Sequence, residues 1–195
     1  MTAARLLIVG PQGSGKGTQG VTIAQSLGVP AISTGDVFRA AVADGSELGR
    51  QVKAIIEAGN LVPDELTSAV VRERLSQPDA ANGFLLDGYP RNIGQVGDLD
   101  AFLAERGEAL EAVIELNVPR EESIARISLR AQEQGRTDDT AEVIANRLAI
   151  YERETAPILD VYRERGIVDE IDGVGSLEEI GARIAAALAA RGIVG

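Results

Sequence analysis

The sequence predicts an α/β fold, a five-stranded parallel sheet with helices on both faces, within a single domain spanning 1–195. Short apolar runs alternate with longer helix-like stretches about five times along the 195 residues. The polar, glycine-rich segments Gly10–Thr18, Thr34–Arg39 and Asp87–Arg91 each begin where an apolar run ends. Alternation of this kind calls for a sheet covered on both faces, and ligands of such sheets sit at the carboxyl ends of the strands.

Leu6–Val9 reads as a short buried strand, Gly15–Leu27 as a helix and Ala31–Ser33 as a second strand. Two or three short helices are expected between Gly35 and Gln77, interrupted by Gly45, Gly59 and Pro63. Gly83–Asp87 and Ala112–Val118 read as buried strands, with a helix over Ile93–Arg106 between them. Helices are expected over Glu121–Glu133 and Thr140–Arg165, the latter bent at Pro157. A strand over Ile167–Ile171 and an alanine-rich helix over Leu177–Arg191 complete the pattern.

Apolar residues make up 45% of the chain, enough to bury a sizeable core. Cysteine and histidine are both absent, which excludes Cys/His zinc sites, thiol nucleophiles, disulfides and imidazole acid–base chemistry. Any catalysis has to run on carboxylates, amines, guanidinium groups, hydroxyls, backbone and bound metal. The net charge of −11 argues against binding to nucleic acid or an anionic membrane. Leu6–Val9 is too short for a signal-peptide core or a membrane span, so a cytoplasmic protein is expected. Of the 19 basic residues only Lys16 and Lys53 are lysines.

Lys16 lies in Gly10-Pro11-Gln12-Gly13-Ser14-Gly15-Lys16-Gly17-Thr18, which fits G-x-x-x-x-G-K between a strand and a helix. Glycines let the backbone curl until several N–H groups face one anion, and the helix start adds its free N–H groups and positive dipole end. Lys16 then supplies a full mobile charge. The hydroxyl of the general pattern stands one residue late, at Thr18, with Gly17 next to the lysine. The bland alternative is a glycine-rich turn with an exposed lysine.

Arg39 and Arg91 are fork-shaped donors suited to a second phosphate, and Gln95 carries an amide able to match a base edge. Asp87 ends an apolar strand, the position of a carboxylate that holds Mg²⁺ through water. Taken singly, these residues read equally well as a solvated helix face, a helix cap and surface. Arg126 and Arg130 share one helix face, and with Arg136 and Arg147 they flank the polar turn at 134–139. They read either as a salt-bridged surface or as a lid whose guanidinium groups fold over a transferring phosphoryl group.

Over nearly its whole length the chain resembles the adenylate kinases. The phosphate loop is similar to that family's G-x-P-G-x-G-K-G-T, including the Gly between Lys and Thr. Ser33-Thr34-Gly35-Asp36, Leu61-Val62-Pro63-Asp64, Leu86-Asp87-Gly88-Tyr89-Pro90-Arg91 with Gln95, the Gly135–Asp139 turn and Asp172-Gly173 occur in family order. The resemblance implies a phosphate-loop nucleotide kinase fold and transfer of a phosphoryl group between ATP and AMP. It implies Mg²⁺ as the metal, nucleotides as the only partners and a monomer. Gly13, Ser14, Gly15, Lys16, Gly17 and Thr18 would cradle the ATP phosphates, Arg130 would reach them, Arg126 would lie beside the ATP base, and backbone around Gly175 would contact the adenine. Thr34, Arg39, Asn60, Leu61, Val62, Gly88, Tyr89, Pro90, Arg91 and Gln95 would hold AMP, and Arg136 and Arg147 would bridge the reacting phosphates.

Residues 33–62 would form an AMP-binding flap and 129–137 a short lid, without the long insertion and four-cysteine zinc site of some relatives. UMP/CMP kinases, which share Asn92, usually carry Ala in place of Thr34 and Asn in place of Gln95. Gln12 departs from the family's usual Pro, which frees φ and adds an N–H to the loop. A GTPase reading lacks its guanine-binding N-K-x-D, because the chain has no Asn-Lys pair.

Overall fold

The structure is a computed structural model that describes residues 4–134 and 140–195. The expectations for Arg136 and for the turn at 135–139 lie outside the described residues.

The strands are β1 (Ala4–Val9), β2 (Ala31–Ser33), β3 (Gly83–Asp87), β4 (Ala112–Asn117) and β5 (Val168–Asp172). They form one parallel sheet in the order β2-β3-β1-β4-β5. The helices are α1 (Lys16–Leu27), α2 (Thr34–Ala43), α3 (Glu47–Glu57), α4 (Asp64–Leu75), α5 (Ile93–Glu105), α6 (Arg120–Gln134), α7 (Ala141–Ile150), α8 (Ala156–Glu164) and α9 (Leu177–Ala190). Among the described residues no helix is long and apolar enough to cross a membrane.

Alternation of side chains along the strands sorts the core into two layers. Leu7, Val9, Phe84, Leu86 and Val113 pack with Val71, Leu99, Leu103, Leu159 and Tyr162 from α4, α5 and α8. Leu6, Ile8, Leu85 and Ile114 pack with Ile23, Ile180, Ile184 and Leu188 from α1 and α9. Phe38, Val52 and Val62 form a separate small cluster for the α2–α3 segment. Ser33 and Ser46 cap α2 and α3 by accepting the N–H groups of Asp36 and Gly49.

Register is what gathers the site. Ser33 pairs with Asp87, and Asp87 pairs with Ile8. Ser33, just before the second polar segment, and Asp87, which opens the third, therefore stand in one row with Ile8, two residues short of Gly10. The chain leaves β1 toward the β2–β3 side and later crosses to β4 on the other side of β1. This order opens a crevice at the carboxyl ends.

The long C-terminal helix departs from expectation. Instead of one helix bent at Pro157, α7 and α8 are joined by a π-helical turn over Tyr151–Thr155, in which the Ala156 N–H donates to the Tyr151 carbonyl five residues back. Proline cannot donate to the carbonyl four residues before it and its ring crowds that carbonyl, so the turn ahead of Pro157 widens.

Candidate functional site

A cleft with a cavity of about 250 Å³ lies over the carboxyl ends of β1, β2 and β3. Lys16, Arg39, Arg91, Arg130 and Arg147 line it, against the carboxylates Asp36 and Asp87. A chain of net charge −11 thus concentrates cations at one point. Enclosure by the cleft walls pushes the Lys16 ammonium below 10.5; Asp87 opposes this, while Arg91, Arg130 and Arg39 reinforce it. Enclosure likewise lowers the Arg91 guanidinium, against Asp87 and with Arg147 and Arg39. Crowded, partly desolvated cations form a site suited to the negative charge of a polyphosphate.

Close packing fixes the phosphate loop. Gly13 has φ +81° and Gly15 φ +87°, values that L side chains rarely adopt. A Cβ on Gly13 would stand 2.4 Å from the Ser123 carbonyl oxygen on α6. The Ser14 N–H donates to the Pro11 carbonyl at 3.1 Å, and the Ser14 side chain is buried. Gly17 and Thr18 are exposed at the start of α1, and Gly17 lines the cleft. Arg126 ties this loop to the segment after β5, donating to the Ser14 carbonyl at 3.4 Å and the Gly173 carbonyl at 3.0 Å. Gly175 (φ +135°) lies in that same segment, outside the residues that line the cleft.

The opposite wall carries the second set of predicted residues. Thr34, Asn60, Leu61, Val62, Gly88, Pro90 and Gln95 all line the cleft. The Thr34 hydroxyl donates to the Gly88 carbonyl at 2.9 Å, and Arg91 Nε donates to the same oxygen at 2.7 Å. A Cβ on Gly88 (φ +86°) would meet Thr34 Oγ1 at 2.7 Å, so both conformation and space require glycine. Tyr89 is placed otherwise: its side chain is buried in the core and its hydroxyl is hydrogen-bonded to Ser68 Oγ at 2.8 Å. Only its backbone remains to serve the cleft.

Residues that the motifs did not single out support this wall. The Thr155 hydroxyl, from the π-helical turn, donates to the Arg91 carbonyl at 2.7 Å. Asp64 accepts from the side-chain amides of both Asn92 and Gln95 at 2.9 Å. Asn146 on α7 donates to the Ala58 carbonyl at 2.9 Å and to Asn60 Oδ1 at 3.0 Å. Asp64 was visible as part of a turn; Thr155 and Asn146 carry no local signal.

The residues present fit Mg²⁺. Asp87 Oδ2 would lie 3.7 Å from a Cβ on Gly17, so a hard oxygen faces the phosphate loop. Among the described residues no group of three His, Cys, Asp or Glu side chains forms a metal cage. Mg²⁺ commonly binds through one or two carboxylates together with substrate phosphates and water, and this donor set matches that habit.

A sheet of order β2-β3-β1-β4-β5 with a phosphate loop after β1 and a cationic cleft beside it defines a phosphate-loop nucleotide kinase fold. The family model described as adenylate kinase matches residues 8–167. Relatives named adenylate kinase are 54% identical in Leifsonia xyli subsp. xyli over 97% of this chain and 95% of the relative, and 53% identical in Kocuria rhizophila over 94% and 98%. A third, from Thermobifida fusca, is 48% identical over 96% of this chain and 99% of its own length. The chain belongs to the adenylate kinase family, whose members are phosphotransferases.

Proposed function

We propose that this chain catalyses reversible, Mg²⁺-dependent transfer of the terminal phosphoryl group of ATP to AMP, giving two ADP. The observation that carries the reading is the convergence of five cationic side chains on one cleft shared by the phosphate loop and the Arg39/Arg91 wall. A single phosphate needs fewer charges; two nucleotides meeting end to end account for all of them.

In this reading Gly13–Thr18 hold the ATP phosphates through backbone N–H groups, with Lys16 and Arg130 adding full charges. Arg126 and the backbone near Gly175 flank the ATP base. Arg39 and Arg91 hold the AMP phosphate, Thr34 and Gln95 face its base, and backbone at 60–62 and 88–90 closes around it. Arg147, and Arg136 beyond the described residues, bridge the reacting phosphates. Residues 33–62 act as a flap over AMP and 129–137 as a lid.

The acceptor is a phosphate oxygen already ionised near neutral pH, so the reaction requires no general base. A chain without histidine is equipped for that. The residues align donor and acceptor and stabilise charge on the transferring group, which is the larger part of phosphoryl-transfer catalysis. Asp87 would hold Mg²⁺ through water, and the ion would supply positive charge against that of the phosphates. The reading includes a cytoplasmic monomer, since the named groups need no second copy of the chain to complete the site.

The test is ADP formation from ATP and Mg²⁺ with AMP, CMP, UMP, GMP or no acceptor in parallel. Rapid turnover with AMP alone is expected. Preference for UMP or CMP would keep the fold and overturn the roles of Thr34 and Gln95. Hydrolysis independent of acceptor would make the protein an ATPase.

A further inference from the structure

Gln95 is only 1% exposed, yet it lines the cleft. Two opposed contacts hold its amide. Oε1 accepts the Arg91 backbone N–H at 2.8 Å, and Nε2 donates to Asp64 Oδ1 at 2.9 Å. Asp64 is the first residue of α4 and is not among the residues lining the cleft. Asn92 completes a closed ring: its Nδ2 donates to the same Asp64 oxygen at 2.9 Å, and its Oδ1 accepts the Gln95 backbone N–H at 2.9 Å.

This ring removes a freedom that a carboxamide otherwise has. A half-turn of the Gln95 side-chain amide would set its oxygen against the Asp64 carboxylate and its NH₂ against the Arg91 N–H. Both contacts would become repulsive at a site closed to water. The amide therefore keeps one acceptor and one donor, in a fixed order, for whatever occupies the cleft.

The order of donor and acceptor decides which purine fits. A 6-aminopurine offers a donor at the 6-position beside a ring-nitrogen acceptor; a 6-oxopurine offers an acceptor there beside a ring N–H donor. An amide free to turn over can pair with either edge, whereas a fixed one pairs with only one. Thr34 is committed in a compatible sense: its hydroxyl hydrogen is spent on the Gly88 carbonyl, so it presents only lone pairs to the cleft.

We propose that Asp64 is a positioning residue that fixes the orientation of the Gln95 amide and thereby makes the acceptor site select 6-aminopurine over 6-oxopurine monophosphates. The inference rests on the reading above that Gln95 faces the acceptor base. Asp64 itself touches no substrate; it acts through Gln95, from 31 positions away in sequence.

The experiment measures kcat/KM with AMP and with inosine monophosphate, at fixed ATP, for the wild type, Asp64→Leu, Asp64→Asn and Gln95→Leu, with Tm recorded for each. Asp64→Leu removes the acceptor and is expected to lower the AMP-to-inosine-monophosphate ratio by at least about tenfold, the scale of a hydrogen bond to a charged group. Asp64→Asn keeps a carbonyl oxygen able to accept from both amides and is expected to hold the ratio within about threefold. A purely structural role would lower both substrates alike in Asp64→Leu, and an unchanged ratio there overturns the proposal. If Gln95→Leu collapses the ratio while Asp64→Leu does not, the positioning role fails and the base-facing role of Gln95 stands. If Gln95→Leu leaves the ratio unchanged, the base-facing role is wrong and the inference falls with it. Should Asp64→Leu not fold, Asp64→Ala is read by the same ratio.

Discussion

The α-carbon of Gly13 lies so close to the Ser123 carbonyl oxygen that a methyl group there would stand 2.4 Å from it. The phosphate loop is thus seated on α6, and its shape depends on a helix more than a hundred residues further along the chain. Gly13→Ala should meet this contact and also strain a φ of +81°. The expected cost is at least about 2 kcal/mol, from the left-handed backbone and the overpacking together. Urea unfolding and ATP titration check it; a variant of wild-type stability and affinity would show that the loop is not seated this way.

Lys16 and Arg91 share the cleft with Asp87 and with further arginines, and under the proposed reaction each charge stabilises the transferring group. Lys16→Met and Arg91→Ala should each lower turnover at least about a hundredfold, the scale for losing a preorganised electrostatic contact. Steady-state ADP formation reads this directly. A loss below about tenfold would remove the residue from the catalytic set.

Asn146 joins α7 to the end of the α2–α3 segment through the Ala58 carbonyl and Asn60 Oδ1. Gly59 between them already sits against α7, where a Cβ would approach Val143 Cγ1 to 2.9 Å. Asn146→Ala should raise KM for AMP by about two- to tenfold, as expected for exposed hydrogen bonds, and leave KM for ATP nearly unchanged. A change confined to KM for ATP would contradict the placement of the flap beside AMP.

Glu115 is buried on β4, and its carboxylate accepts from Arg163 of α8 at 2.6 Å. Burial raises its pKa above 4.5, outweighing the attraction of Arg163. The folded state then binds more protons than the unfolded chain in the window just above 4.5. The stability Glu115 contributes is full below that value and is lost as pH rises through the folded pKa. Relative to Glu115→Gln, the wild type should therefore lose stability as pH rises through this window. Urea midpoints of both proteins across the mildly acidic range test the sign, and a slope in the other direction refutes it.

Strand and helix identities were legible because they depend on local pattern. Gly83–Asp87 is an apolar run closed by Gly88 and keeps its expected bounds, whereas Leu6–Val9 is closed only by Gly10 and the strand begins two residues earlier, at Ala4. Gly45, Gly59 and Pro63 separate α2, α3 and α4 as their backbone preferences require. Pro157 marked a disturbance in the last long helical stretch, but not its form. The π turn it takes holds a long-range contact that local pattern does not reveal: the Thr155 hydroxyl donates to the Arg91 carbonyl 64 positions away.

The sequence by itself determined the class of fold, the phosphate loop and the second set of polar residues, since each is written in neighbouring residues whose backbone and charge preferences act locally. Tertiary structure alone decided the rest: the register that aligns Ser33, Asp87 and Ile8, the turning of Tyr89 into the core, and the locking of Gln95 by Asp64. Those depend on packing between segments far apart in the chain, where hydrogen bonds become directional constraints only after the core has closed around them and excluded water.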